Sequence, residues 1–450
     1  MNRILDATRC PGWPTDSWPE FTDKWVRACA SDAVLAAWKG PWSAAFTIQA
    51  GTHAADFRFH EGELHGVDGS ASNSSEFAVA ASEEIWAKYL APLPVRHHQS
   101  IFAMLMRIPG FEVRGDMLRF VQSCHLVRRV LEIGKWLASG FPEPVPPSLR
   151  AALDTPEESL GRRAPIGSYV EVAADGGPYK IYYESAGEGP VILGLHTAGS
   201  DNRQFHRLMA EPGLSGYRFV TFDLPWHGKS PPPTGAIPGS WSLTTDLYVD
   251  LVMGFIQAAG LRKPILLGAS MSGEICLELA LRHPEAFSAI VACEASDHVQ
   301  GRNVPWAFHP QVNQAIFSPE WVEGLMAPQS PAECAQEVWW HYSQGGFATF
   351  RGDISFYSGE WDARDRVGHI DTRKCPLFML TGEYDYSCTA ERSEETAAKI
   401  PGAVFRVMHG LGHFPFAENP KLFGTHLQQV LADVGIAVAA GRPVRNLSTD

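Results

Sequence analysis

The chain has 450 residues, more than one ordinary domain holds and enough for two that each bury a core. Its formal charge of −13, with no run of Lys or Arg, leaves no basic face for phosphate-rich partners, so neither nucleic acid nor an anionic membrane surface is an expected partner. No stretch reaches the roughly 18 consecutive apolar residues that span a bilayer, Met1–Asp6 lacks a basic-then-apolar leader, and the eight cysteines are scattered without a C-x-x-C pair; these features predict a cytoplasmic chain with reduced thiols, no membrane insertion and no metal site.

Residues 1–145 read as a smaller α+β unit. Period-2 alternation predicts strands over Ala45–Gln49 and Ala55–His60, with Gly51-Thr52-His53 turning between them, and a third over Glu76–Ala80. Helices follow over Ser82–Leu90, Ser100–Met106 and Leu118–Leu137, with a short segment Phe111–Asp116 before the last. This succession resembles the sterol-carrier-protein type of lipid-binding domain, and the resemblance implies an apolar tunnel that holds a substrate's tail; a packing or homodimerisation module is the alternative reading.

The prolines of Phe141-Pro142-Glu143-Pro144-Val145-Pro146-Pro147 disfavour regular pairing and open a linker over 146–165, which includes a helical Ser148–Leu153 and the polar Arg162-Arg163. From residue 166 strands alternate with helical segments: Tyr169–Ala173, Tyr179–Glu184, Val191–Leu195, Tyr217–Phe222, Ile265–Gly268, Ala289–Ala292, Leu377–Leu380 and Val404–Met408. Such alternation after a first antiparallel pair predicts an α/β fold with a mainly parallel sheet whose loops gather at one end.

Gly268-Ala269-Ser270-Met271-Ser272-Gly273 joins an apolar strand to a helix, and a serine on such a turn is held out toward a substrate beside the helix N-terminus. A serine hydroxyl is a weak nucleophile at neutral pH and needs a histidine base with a carboxylate to orient it. Asp385 follows the strand ending at Thr381-Gly382, and His413 lies in the loop after the last strand. Glu383 competes for the acid and His409 for the base. In motif, order and spacing this part of the chain resembles the α/β-hydrolase superfamily, with Leu195-His196-Thr197-Ala198-Gly199 standing for the oxyanion loop and Asp223-Leu224-Pro225-Trp226-His227-Gly228-Lys229-Ser230 for a further turn. The resemblance implies a Ser270-His413-Asp385 triad, oxyanion donors from the backbone N–H groups of Met271 and Ala198, loop-bracing roles for His196 and His227, and no cofactor. Three positions depart from the family pattern: Ser272, Thr197 and Trp226 each replace a glycine.

Residues 295–365 interrupt the alternation and correspond to a cap inserted after the sixth strand. They are dense in aromatics, among them Trp306, Trp339, Trp340, Tyr342, Phe347, Phe350 and Tyr357. The rings can form the cap's own core or an apolar roof over a pocket. On the second reading Thr197, Trp306, Trp339, Trp340 and Tyr342 contact the substrate, and Asp297, His298 and His341 are the polar cap residues of interest. The expected activity is hydrolysis of an ester, lactone or thioester of a hydrophobic or aromatic small molecule through an acyl-enzyme. Carbon–carbon bond hydrolysis of a diketone-type substrate by the same triad is the first alternative, and a non-catalytic ligand-binding protein on a hydrolase fold the second.

Overall fold

The computed structural model describes residues 17–65, 75–154, 164–175, 177–346 and 348–439, so Met1–Asp6, Arg162-Arg163 and Phe347 lie outside the described residues. Two units divide the chain: Met1–Thr155 with Pro305–Gly324, and Pro156–Val304 with Leu325–Asp450.

In the first unit, α1 (Trp18–Ala30) precedes the strands. The sequence reading had no helix here, although the signals are present. Ser17 and Glu20 form a reciprocal capping box, and Phe21, Trp25, Ala28 and Cys29 recur on one buried face. After α2 (Ala33–Ala36) come β1 (Ser43–Ala50), β2 (His53–His60), β3 (Glu63–His65) and β4 (Phe77–Ala81), then α3 (Glu83–Leu90), α4 (Ile101–Arg107), β5 (Glu112–Gly115), α5 (Met117–Ala138) and α6 (Leu149–Leu153). The sheet order is β3-β2-β1-β4-β5, with β1 and β4 parallel and the other pairs antiparallel. Alternate positions of β1 and β2 place Phe46, Phe57 and Phe59 inward with Phe77, and Phe120 of α5 closes an edge-on contact with Phe77 at 5.6 Å.

The second unit holds β6 (Ile166–Ala174), β7 (Gly177–Ala186), β8 (Val191–Leu195), β9 (Arg218–Phe222), α7 (Thr245–Ala258), β10 (Ile265–Ala269), α8 (Met271–Arg282) and β11 (Ala289–Cys293). Of the cap helices, α9 (Gln314–Glu323) falls in the segment that groups with the first unit, whereas α10 (Ala332–Ser343) and α11 (Thr349–Ser355) stay in the second. The sheet then resumes with β12 (Leu377–Gly382), α12 (Ala390–Ala398), β13 (Val404–Met408), α13 (Pro415–Glu418) and α14 (Pro420–Ala439). Its eight strands run β13-β12-β11-β10-β8-β9-β7-β6; β8 to β13 are parallel where they pair, and β7 is antiparallel to both β6 and β9. Strands β10 and β11 are buried at every position, as continuous apolar runs flanked by helices require. Because β8 and β10 to β13 share one direction, the residues that follow them emerge at a single edge.

Among the described residues no helix is long and apolar enough to cross a membrane. The seven described cysteines are free and buried.

Candidate active site

The turn after β10 sets the geometry. Ser270 has φ 61° and ψ −127°, a left-handed conformation that a non-glycine residue holds only where its surroundings enforce it. Here the Ser270 N–H donates to the Cys293 carbonyl (3.1 Å). The flanking glycines permit the tight approach: a Cβ on Gly273 would lie 2.1 Å from the Cys293 oxygen, and one on Gly268 would lie 2.5 Å from the Ser272 oxygen. The serine side chain therefore stands at the N-terminus of α8.

Three buried side chains converge there. Ser270 Oγ lies 2.8 Å from His413 Nε2, and His413 Nδ1 lies 2.7 Å from Asp385 Oδ2. The other oxygen, Asp385 Oδ1, accepts from the backbone N–H groups of Ser387 (2.7 Å) and Cys388 (3.2 Å). Burial works to raise the Asp385 carboxyl, but the charge and hydrogen bond of His413 outweigh it and hold the group below its ordinary range. Glu383 is placed elsewhere: its carboxylate accepts from Gly410 N (3.1 Å) and lies 3.4 Å from Nδ1 of His409, an exposed side chain. Asp385, not Glu383, touches His413.

Two of the three departures from the glycine pattern have physical accommodations. Ser272 Oγ donates to the His196 carbonyl and lies 2.7 Å from the Tyr248 hydroxyl, so the added hydroxyl ties the end of β8 to α7. Thr197 Oγ1 meets the Tyr342 hydroxyl at 2.8 Å and Gln204 Nε2 at 2.9 Å, while Thr197 N donates to Gln204 Oε1 (3.0 Å). Trp226 occupies φ 73°, the conformation for which glycine is ordinarily used.

The loop after β8 is braced by two histidines. His196 Nε2 accepts from Leu224 N (3.1 Å), so its proton sits on Nδ1 and donates to the Thr197 carbonyl (2.9 Å); burial lowers its pKa to about 4 and keeps the ring neutral. His227 Nε2 lies 2.8 Å from Asp353, a fully buried residue of α11. Burial opposes charge on His227, yet the Asp353 carboxylate raises its pKa above the ordinary value. The same carboxylate accepts from Gly199 N (2.7 Å) and Trp241 Nε1 (2.6 Å), so one cap residue fixes the loop that carries Thr197 and Ala198. Ala198 and Met271 are both buried at this edge.

The aromatic residues proposed to contact substrate separate. Tyr342 is buried on Thr197, and its ring packs at 5.5 Å on Phe414, beside His413. Tyr357, also buried, approaches the His413 ring at 6.3 Å. By contrast Trp339 is half-buried and Trp340 is 54% exposed, because α10 turns them toward its outer side. Trp306 belongs to the first unit, where it packs on Phe317 and Trp321. Asp297 pairs with Arg392 (2.6 Å) and Lys399 (2.5 Å), His298 Nδ1 faces the Trp361 carbonyl, and burial lowers the His341 pKa to about 4.

Glu418 of α13, absent from the sequence reading, holds the histidine loop. Its carboxyl accepts from Gly412 N (2.6 Å), Phe414 N (3.2 Å), Ala327 N (3.2 Å) and Ser330 Oγ (3.1 Å). Burial outweighs these bonds and raises its pKa to about 7. Since folding raises this pKa, its contribution to stability is complete below the ordinary carboxyl range and is lost as pH climbs to about 7, by on the order of 3 kcal/mol. Glu418→Gln removes that titration. Chemical denaturation at pH 5 and pH 8 is therefore expected to show the variant gaining on the native protein by about that amount at the higher pH; a constant difference between the two would refute this role.

Residues 192–424 match the model of the alpha/beta hydrolase family. A 2-hydroxy-6-oxononadienedioate/2-hydroxy-6-oxononatrienedioate hydrolase of Paraburkholderia phymatum is 30% identical over 282 residues, covering 60% of this chain and 96% of that one. The uncharacterized hydrolase YugF of Bacillus subtilis is 23% identical, covering 55% of this chain and 92% of its own. Among solved structures, a thermophilic esterase from Thermogutta terrifontis superposes with a TM-score of 0.50 at 21% identity, over 60% of this chain and 99% of that one. With the matched segment spanning more than half of its length, the chain belongs to the α/β-hydrolase family and is a hydrolase of that family.

Proposed function

We propose that the protein cleaves an ester, lactone or thioester of a hydrophobic or aromatic small molecule through a covalent acyl-enzyme. The observation that carries this reading is the continuous relay from Ser270 Oγ to His413 to Asp385, at 2.8 and 2.7 Å. Asp385 keeps the His413 proton on Nδ1, which leaves Nε2 free to accept the Ser270 proton as Oγ attacks the carbonyl. The negative charge formed on the carbonyl oxygen meets the N–H groups of Met271 and Ala198, and each such donor is worth roughly 10²–10³ in kcat. His413 then returns the proton to the leaving alcohol or thiol. Water activated by the same nitrogen releases the acid. The apolar neighbours Tyr342, Tyr357 and Phe414 suit a hydrophobic or aromatic acyl part.

An alkyl fluorophosphonate tests the reading directly. Attack by Ser270 forms the Oγ–P bond, fluoride leaves, and His413 takes the hydroxyl proton. Intact mass is expected to rise by one phosphonyl group, mapped to Ser270 and missing from Ser270→Ala; an unmodified native protein would overturn the proposal.

Carbon–carbon bond hydrolysis is the second reading, favoured by the 30% identity to the Paraburkholderia phymatum hydrolase. Product mass distinguishes the two: an ester releases an alcohol, whereas a 1,3-diketone gives an acid and a ketone.

A further inference from the structure

We propose that Glu294 is a positioning residue that carries a proton and donates it in a hydrogen bond to Asp385, extending the chain to Ser270–His413–Asp385–Glu294. The inference rests on the triad reading above. Glu294 directly follows β11, beside the strand that ends at Gly382, and it is fully buried with φ 49°, a left-handed conformation that a non-glycine residue holds only where its surroundings enforce it. Both carboxyl oxygens lie 3.0 Å from Gly382 N. Carboxyl oxygens of Glu294 and Asp385 and a ring nitrogen of His413 all fall within 4.8 Å of one another.

Two carboxyls this close in a dry interior cannot both be ionised, so one keeps a proton. The partners decide which. Asp385 has His413 and two backbone N–H groups to stabilise its charge, whereas Glu294 has one N–H. The other groups whose fields meet here are Glu418 of α13, Cys293 of β11 and Cys388 of the loop after Asp385, and none of them brings a positive charge. Burial and the Asp385 charge accordingly push the Glu294 carboxyl well above its ordinary range, while Asp385 falls below it. The pair thus carries a single negative charge, and the shared proton fixes the plane of the Asp385 carboxylate that faces His413. The Gly382 N–H by itself favours charge on Glu294, and burial together with the Asp385 carboxylate outweighs it.

Glu294→Leu removes the donor. Asp385 then holds its charge unshared, which stabilises the protonated form of His413, so the acid limb of the kcat/KM profile moves to higher pH. The expected fall in kcat at neutral pH is about tenfold to a hundredfold, the size of a lost charge-assisted hydrogen bond, with KM nearly unchanged. Glu294→Gln, whose amide donates to Asp385 and accepts from Gly382, is expected to recover most of that rate and return the limb to its native position. Infrared spectra at pH 8 supply a readout independent of turnover: subtracting Glu294→Gln from the native protein leaves the carbonyl stretch of one protonated carboxyl, and the same subtraction in a Ser270→Ala background leaves it too. An unmoved acid limb in Glu294→Leu, or no protonated-carboxyl band in the difference, overturns the assignment. Failure of the triad reading is seen separately, as full activity in Ser270→Ala with the band still present.

Discussion

Ser270→Ala is expected to lower kcat on a short-chain aryl ester by roughly 10⁴–10⁶-fold while leaving the fold intact. The reason is chemical. Alanine keeps the Cβ, so the φ 61° turn costs no more than it does in the native chain, and the Ser270 N–H bond to Cys293 is unaffected. What disappears is the hydroxyl 2.8 Å from His413 Nε2, and with it the covalent route. The double variant with His413→Ala is expected to lose little more, because the two groups act as one unit. Asp385→Asn tests the orientation step separately. An amide at that place cannot hold the proton on Nδ1, and the loss is expected near 10⁴-fold. Glu383→Gln, which alters the support of Gly410 and the contact with exposed His409, is expected to stay within a few-fold of the native rate. Initial rates together with thermal unfolding separate chemistry from folding; a Ser270→Ala rate within tenfold of native would end the nucleophile assignment.

These residues were legible in the sequence because parallel buried strands mark their own ends. Continuous apolar runs such as Ile265–Gly268 and Leu377–Leu380 stop at polar turns, and the turns carry Ser270 and Asp385. The supporting carboxylates were not legible for a related reason. Asp353 and Glu294 meet their partners only after folding brings distant segments together, Glu418 joins nearby Gly412 to the distant Ala327 and Ser330, and a lone acid in a sequence reads as surface. Position offered one hint: Glu294 follows an apolar strand directly, as Ser270 does. The aromatic density of 295–365 was legible, but its division was not. Composition cannot say that Phe317 and Trp321 are rings of one unit and that Tyr342 and Tyr357 are rings of the other. Ser17-x-x-Glu20 marks the start of α1, and the apolar face of Phe21, Trp25, Ala28 and Cys29 that continues it is legible only at helical spacing, not at the period of two that marks the strands after it.

A chain cut to residues 156–450 is expected not to fold, although the family match covers only part of that segment. The cause lies in Pro305–Gly324, which groups with the first unit. On α9, Phe317, Trp321 and Val322 are almost fully buried, and Phe102 of α4 packs against the first two at 5.9 and 6.4 Å. Arg128 of α5 pairs with Glu320, and Arg150 of α6 with Glu323 at 3.0 Å. Removing residues 1–155 exposes three large apolar side chains, at roughly 1.5–3 kcal/mol each, and leaves Glu320 and Glu323 without their cations. Set against a total stability of about 5–15 kcal/mol, that loss is decisive. It also reaches the chemistry, because Leu325, the first residue after the segment, accepts the His413 N–H through its carbonyl at 3.0 Å. Truncation is therefore expected to give insoluble protein or a non-cooperative urea transition, and replacing 305–324 by a Gly/Ser linker in the same truncated chain is expected to restore cooperativity. A soluble 156–450 chain that unfolds cooperatively without the linker would show that the segment does not bind the two parts of the sequence into one folding problem.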